Sequence, residues 1–285
     1  MLTVLFAAAF LLSGRAAEAV IPEDFVRQGY DVSPSVNLSV RNTDGRIFIY
    51  GSDAPRLEII AMRRAFSEKR RDAIKIEVSI KGDAATIETI YPLVSGGSFL
   101  ADRSGTVDYL ILVPQTCTLA RVELGNGEVL IEGMRGERIE AQLGNGVMHL
   151  RNCFSTARVR LERGRLIVRY DWWEARAFSL SAEVADGDLR VAVPAGAALH
   201  LDAAAVRGKV INHFAPGPRD VPQLDEHFGG ESAVEFKLRT TTGNIQLEAI
   251  HYLHRAEKEP WRRGRFTQNS RHAFVYKPPL KRVNH

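Results

Sequence analysis

The sequence predicts an all-β protein: a single-domain β-solenoid, a parallel β-helix-like stack of coils of about 18–23 residues behind a less regular N-terminal β cap. Three observations predict it. A glycine followed by alternating apolar residues recurs seven times, at Gly45, Gly127, Gly146, Gly164, Gly187, Gly208 and Gly243, with Asn212 standing for the second apolar residue after Gly208. From Gly127 to Gly208 the steps are 19, 18, 23 and 21 residues, the spacing of one supersecondary unit stacked on copies of itself. A second apolar stripe runs three, five and seven residues before each glycine, for example Leu124, Val122 and Ala120, then Leu143, Ala141 and Ile139, then Leu161, Val159 and Ala157.

Side chains alternate across a strand, so each unit reads as two strands that point one face inward and join at a turn on the glycine. Gly-Asn-Gly at 125–127 and 144–146, Glu-Arg-Gly at 162–164, Ala-Asp-Gly at 185–187 and Thr-Thr-Gly at 241–243 are those turns. Glycine there supplies a positive φ that a Cβ disfavours. A meander of antiparallel hairpins fits the same Asn-Gly signals. The near-constant period and the small inward alanines favour parallel coils about 4.8 Å apart instead.

Residues 36–114 form the opening unit and cap, and 115–254 the regular coils. Within the cap, 56–61, 74–80, 85–90 and 107–113 read as strands, Gly82-Asp83 as a hairpin turn and 66–72 as a charged connection or short helix. The cap covers an edge that a first coil exposes. Between Gly208 and Gly243 lie 35 residues, among them an irregular excursion at 213–233 containing Pro216, Pro218, Pro222 and Gly229-Gly230. Asn212 sits in the inward column just before it, marking an interruption of the core.

The first residues, 2–12, are nearly all apolar and precede Ala17-Glu18-Ala19, the small residues that suit signal peptidase. Residues 1–19 are therefore read as a signal peptide, with the mature chain from Val20 at 20–254 followed by a tail. The usual basic residues before the apolar run are missing, which leaves a start further upstream, or a buried N-terminal segment, as alternatives. Export places the protein in the periplasm, the cell envelope or outside the cell. No apolar run reaches the roughly 18 residues that span a bilayer as a helix. Cys117 and Cys153 fall about two coils apart, roughly 9 to 10 Å, beyond the about 7 Å that a disulfide bridges, so both are read as buried thiols.

The run Val107-Asp108-Tyr109-Leu110-Ile111-Leu112-Val113-Pro114, followed by Leu119-Ala120-Arg121-Val122-Glu123-Leu124-Gly125-Asn126-Gly127-Glu128-Val129, resembles the bacterial putative adhesin family. Arg41-Asn42-Thr43-Asp44-Gly45-Arg46-Ile47 is similar to that family's opening unit. The resemblance covers about 36–250 and implies an exported, adhesin-like β-solenoid domain. It supplies no catalytic residues. Its motifs are patterns of turns and strands, which specify fold and are nearly silent on activity.

Chemistry-bearing motifs are sparse. Asn42-Thr43-Asp44 matches one short motif of pectin hydrolases, without the Asp-Asp, Gly-His-Gly or Arg-Ile-Lys that accompany it there, and is read as a turn. Asp186-Gly187-Asp188 lacks the repeated pattern of calcium-binding rolls. His251 and His254 fall on opposite faces of a strand. No Walker loop, dinucleotide fingerprint or nucleophile with a paired base is visible, so no enzyme, metal or cofactor is expected.

Two features suit binding. Trp172 and Trp173 fall where other units have a tight turn, and their rings either stack on a ligand at the edge or cap the core between coils. The tail at 255–285 holds nine Lys or Arg against two Glu, a balance of +7, while the whole chain is +4. Trp261, Arg262, Arg263 and Arg265 mix aromatic and basic character there, which suits an anionic membrane surface or envelope polymer; a solvated, flexible tail is the plainer reading. The expected function is non-enzymatic surface recognition or envelope scaffolding, with a glycan, an envelope polymer or another envelope protein as partner and no nucleic acid. An envelope sensor or assembly component, and a carbohydrate-active enzyme, are the alternatives.

Overall fold

The computed structural model describes residues 21–92, 104–214, 220–230, 232–250, 265–268 and 274–277. The signal-peptide reading, His251, His254 and most of the tail lie outside them. Strands in chain order are β1 (Glu23–Asp31), β2 (Asn37–Ser52), β3 (Arg56–Arg64), β4 (Lys75–Lys81), β5 (Ala84–Ile90) and β6 (Thr106–Pro114), with one helix, α1 (Glu68–Ala73), between β3 and β4. The long strands β7 (Thr118–Glu132), β8 (Arg138–Arg151), β9 (Thr156–Arg169) and β10 (Ser179–Pro194) follow. Then come β11 (Leu199–Arg207), β12 (Val210–His213), β13 (Gln223–Phe228), β14 (Glu235–Thr242) and β15 (Ile245–Ile250). The protein is all-β, and β1 to β15 form one open sheet.

Where two strands joined by a turn were expected, β2 and β7 to β10 each run unbroken through the glycine. The alternation of buried positions nonetheless changes phase there. Val122 and Leu124 are buried before Gly127, and Val129 and Ile131 after it. Chain length requires the same bend. Leu119 pairs with Ile139, seven residues beyond the end of β7. A straight strand would hold Glu132 and Leu119 about 43 Å apart, whereas seven residues reach at most about 25 Å. The strand therefore folds over at Asn126-Gly127, and each half turns its apolar side inward.

Rungs stack parallel and in register. Gly127 lies beside Gly45, Gly146 beside Gly127, Gly164 beside Gly146 and Gly187 beside Gly164. The register gathers Ile47, Val129, Met148, Leu166 and Leu189 into one interior row and Ile49, Ile131, Leu150, Val168 and Val191 into the next, all buried. Before the glycines, Val40, Val122, Ala141, Val159 and Ala182 form a third. Each such aliphatic side chain contributes about 1.5–3 kcal/mol by leaving water, and none can do so without its neighbouring rung.

Six of the seven glycines have φ between +120° and +140°, and Gly208 is the exception. All seven are nevertheless obligatory by packing. A Cβ on any of them would sit inside 3.0 Å of the backbone on the adjacent rung, and from Gly127 onward that backbone belongs to another turn glycine.

Chain order and stacking order part company at the far end. The Gly243 unit, β14 and β15, pairs with β10, and the Gly208 unit, β11 and β12, pairs beyond it. The chain passes over one rung position in the short connection from Pro194 to Leu199, and the excursion at 213–233 brings it back to fill that place. That excursion is not wholly irregular: β13 lies within it and pairs antiparallel with β11. At the near end, β5 flanks the first half of β2 and β6 the second, both parallel. Antiparallel strands then close the sheet, β4 on β5, and β3 followed by β1 on β6. The sheet is thus mixed: parallel within the glycine-bearing rungs and antiparallel at its margins. The cap strands fall where the pattern placed them, with Gly82 at φ +55° in the β4–β5 turn and Ser67 capping α1.

The tail, expected as a flexible segment, contains two further strands, β16 (Arg265–Gln268) and β17 (Phe274–Lys277), paired antiparallel in a sheet of their own.

Replacing Gly146 with alanine sets a Cβ against the Gly127 carbonyl at φ +136°. We expect a loss of at least about 3 kcal/mol in urea unfolding. Gly196→Ala, at a site with open space around it, changes stability by no more than about 0.5 kcal/mol.

Candidate recognition surface

Inward alternation leaves the intervening residues pointing outward, and on the half of each rung after the glycine several of these are apolar. Ile60 pairs with Leu110, Leu110 with Phe48, Phe48 with Leu130, Leu130 with His149 and His149 with Ile167. These six form one row across β3, β6, β2, β7, β8 and β9, about 24 Å long at the spacing of neighbouring strands. Leu110 is buried; the other five are half-buried. Leu110 and Met62 are buried yet stand apart from the interior cluster, which places them on this outer side. Burial holds the His149 imidazole below its usual pKa against the pull of Glu128, 3.8 Å away, so the ring is neutral at pH 7 and adds little charge to the row.

Its margins are polar but for Val147. Arg27 continues the row at one end and Arg190 at the other. Arg46, Glu128, Val147 and Arg165 run along one side, and Tyr50, Glu132, Arg151 and Arg169 along the other. Many of these charges are already engaged: Arg151 and Arg169 both donate to Asp171, each at 2.6 Å, and Arg46 lies 3.8 Å from Glu128. An apolar centre inside a polar rim is the anatomy of a protein recognition patch.

At the glycine corner an open trough of about 450 Å³ is lined by Asp44, Arg46, Arg64, Asp108, Asn126 and Glu128, with Thr106, Gly45 and Gly127. Its residues mainly tie rungs together. Asn126 donates to the Asp44 carboxylate at 2.9 Å and accepts from Asn145 at 3.0 Å, a polar ladder outside the glycine column. Asn42 is buried, donating to the Val107 carbonyl at 2.8 Å and accepting from the Tyr91 hydroxyl at 2.9 Å. The Asn42-Thr43-Asp44 motif thus serves the corner. Asp108 is ion-paired with Arg64, and burial raises its pKa although Arg64 opposes this.

Trp172 and Trp173 are half-buried and packed on the interior cluster. The Trp173 ring lies 5.5 Å from Tyr170 and 5.3 Å from Phe178, and the Trp172 ring 5.9 Å from Phe154. The Trp172 indole donates to Glu174 at 3.2 Å, and Glu174 also receives Arg135. The two indoles thus pack against the core between β9 and β10. Trp261, Arg262 and Arg263 lie outside the described residues, and Arg265 opens β16. Asp186 receives Arg163 at 3.4 Å, and Asp188 accepts from the Asn244 backbone N–H at 2.9 Å. Cys117 and Cys153 are free and buried, and burial pushes both thiols up to about 12.

The outward row escaped the sequence reading, although its signal was present. Phe48, Leu130 and Ile167 stand between two inward apolar residues, turning an alternating pattern into the continuous apolar run of a strand that is covered on both faces. The equivalent residues in the later units, Arg190 and Gln246, restore the alternation.

These features define an all-β protein with one open, mixed sheet, bent parallel rungs and an outward apolar row. No family model matches the chain, and no curated protein does. Among solved structures, a putative cell adhesion protein from Clostridium sporogenes is similar at 13% identity with a TM-score of 0.49, over 81% of this chain and 100% of that one. A putative lipid binding protein from Parabacteroides distasonis gives 11% identity and a TM-score of 0.37 over 80% of this chain and 97% of that one. A putative adhesin from Bacteroides fragilis gives 11% identity and a TM-score of 0.27, with 79% and 97% covered.

Trp173→Ala removes a ring wedged between Tyr170 and Phe178, and should cost about 2–3 kcal/mol in denaturant unfolding. Both thiols should resist a disulfide reagent in the native protein at mildly alkaline pH and react once denaturant is added; rapid native labelling of either would contradict their burial.

Proposed function

We propose that this chain is an exported, non-enzymatic, adhesin-like protein that works by surface recognition or as an envelope scaffold, with its rungs wound as a β-solenoid. One observation carries the reading: the row of Ile60, Leu110, Phe48, Leu130, His149 and Ile167, apolar but for His149 and half-buried but for the buried Leu110, within a charged rim on the outer side of the sheet. Such a patch suits contact with another macromolecule. The in-register rungs and their five-residue return at 133–137 support the solenoid reading. At the glycine corner Arg64 engages Asp108, Arg46 lies beside Glu128 and Asn126 donates to Asp44, which supports recognition over hydrolysis as the use of these carboxylates. Exported location rests on the N-terminal apolar segment and is tested by cell fractionation with sequencing of the mature terminus.

The apolarity of the row also favours a second reading, an envelope assembly component or sensor whose partner is a protein.

Binding of the labelled protein to isolated cell envelope measures both. Leu130→Ser with Ile167→Ser should weaken it at least about tenfold, since each lost side chain forfeits the burial of an aliphatic group. Unchanged binding by a folded double variant would remove the row from function. Protease treatment of the envelope separates a protein partner, whose loss abolishes binding, from a polymer, whose binding survives.

A further inference from the structure

On the other half of the rungs, before the glycines, a second outward feature stands apart from the apolar row. Ser181 on β10 lies in register between Arg158 on β9 and Lys237 on β14. One step along, Ser179 lies beside Glu235; one step the other way, Glu183 lies between Arg160 and Arg239. Because serine is short, the β10 position sinks between its long neighbours. The result is an open trough of about 460 Å³, floored by Ser179, Leu180 and Ser181 and walled by Arg158, Arg160, Glu183, Glu235 and Lys237. That size lies within the range of about 300–1,000 Å³ typical of small-ligand clefts.

Its charges are unevenly committed. Arg160 is paired with Glu183 at 3.1 Å, and Arg239 with Asp202. Arg158 and Lys237 make no ion pair among the described residues; Lys237 only adds its field to that of Arg239 in holding the Asp202 carboxyl below its usual pKa. Two uncommitted cations, their backbones about 10 Å apart, thus face each other across serine hydroxyls, with carboxylates at both ends.

We propose that this trough binds an acidic sugar residue of a polysaccharide. Arg158 and Lys237 take the sugar carboxylate from two sides, a charge-assisted contact. Ser179 and Ser181 meet ring hydroxyls as donors or acceptors, and Glu235 accepts from them. The carboxylates in the walls decide the class: Glu183 and Glu235 repel a densely charged polymer such as polyphosphate or nucleic acid, while a chain with one carboxylate and several hydroxyls per ring satisfies both kinds of wall. The proposal does not depend on the apolar row, which lies on the other half of the rungs.

Calorimetric titration of the full chain with galacturonate oligomers, neutral glucose oligomers of equal length and inorganic polyphosphate tests it. We expect the galacturonate oligomer to bind most tightly, with affinity falling as salt rises. Arg158→Ala with Lys237→Ala should weaken it by about tenfold or more, while Lys81→Ala, at the far end of the sheet, leaves it unchanged. Melting curves establish that each variant is folded, which is expected because all three side chains are exposed. Absence of galacturonate binding, equal binding of the neutral oligomer, tighter binding of polyphosphate, or equal losses in the double variant and Lys81→Ala would each overturn the proposal.

Discussion

Everything in this sheet depends on a place where side chains are missing. Down the corner of the rungs the turn glycines stack carbonyl against Cα, so closely that any Cβ would meet backbone. The closeness has two effects. It lets an unbroken strand change which side it turns inward, and it keeps the hydrogen-bonded register continuous across the bend. The interior rows follow from that register, because rungs that match at glycine also match at Ile47, Val129, Met148 and Leu166. Burial then supplies the free energy that the bend itself does not.

Polar groups secure what the apolar rows leave open. Beside the glycines, Asp44, Asn126 and Asn145 pass hydrogen bonds from rung to rung. At the two ends of the apolar rows asparagine replaces an aliphatic residue: Asn42 near the cap bonds the backbone of β6, and Asn212 near the other end accepts from the Phe214 N–H at 2.9 Å. In both, the side-chain carbonyl accepts a backbone N–H from the residues that follow it, Thr43 and Phe214.

Much of this was legible because stacking imposes a period on the sequence. The seven glycines, the inward rows, the cap strands and the buried thiols were all read from spacing. Spacing reports one face only, however, so the outward row at Phe48, Leu130 and Ile167 passed unnoticed. Two further features were hidden because they belong to tertiary pairing. Gly127 and Gly208 look alike in sequence, yet one bends a strand and the other lies between two strands. Nothing local states that the Gly243 unit enters ahead of the Gly208 unit. The trough at Arg158 and Lys237 was likewise invisible, since its residues are scattered over three rungs and share no motif.

The exchanged order of the last two units sets how the molecule can be completed. In a stack laid down in sequence, each newly made rung has its template waiting, and the growing end can stop after any number of copies. Here β11 and β12 emerge from synthesis before the strands that must separate them from β10. They can take their final seats only once β14 and β15 have been made, so the late segment works as a keystone. Its insertion joins the earlier piece to the body, and assembly finishes at a defined length.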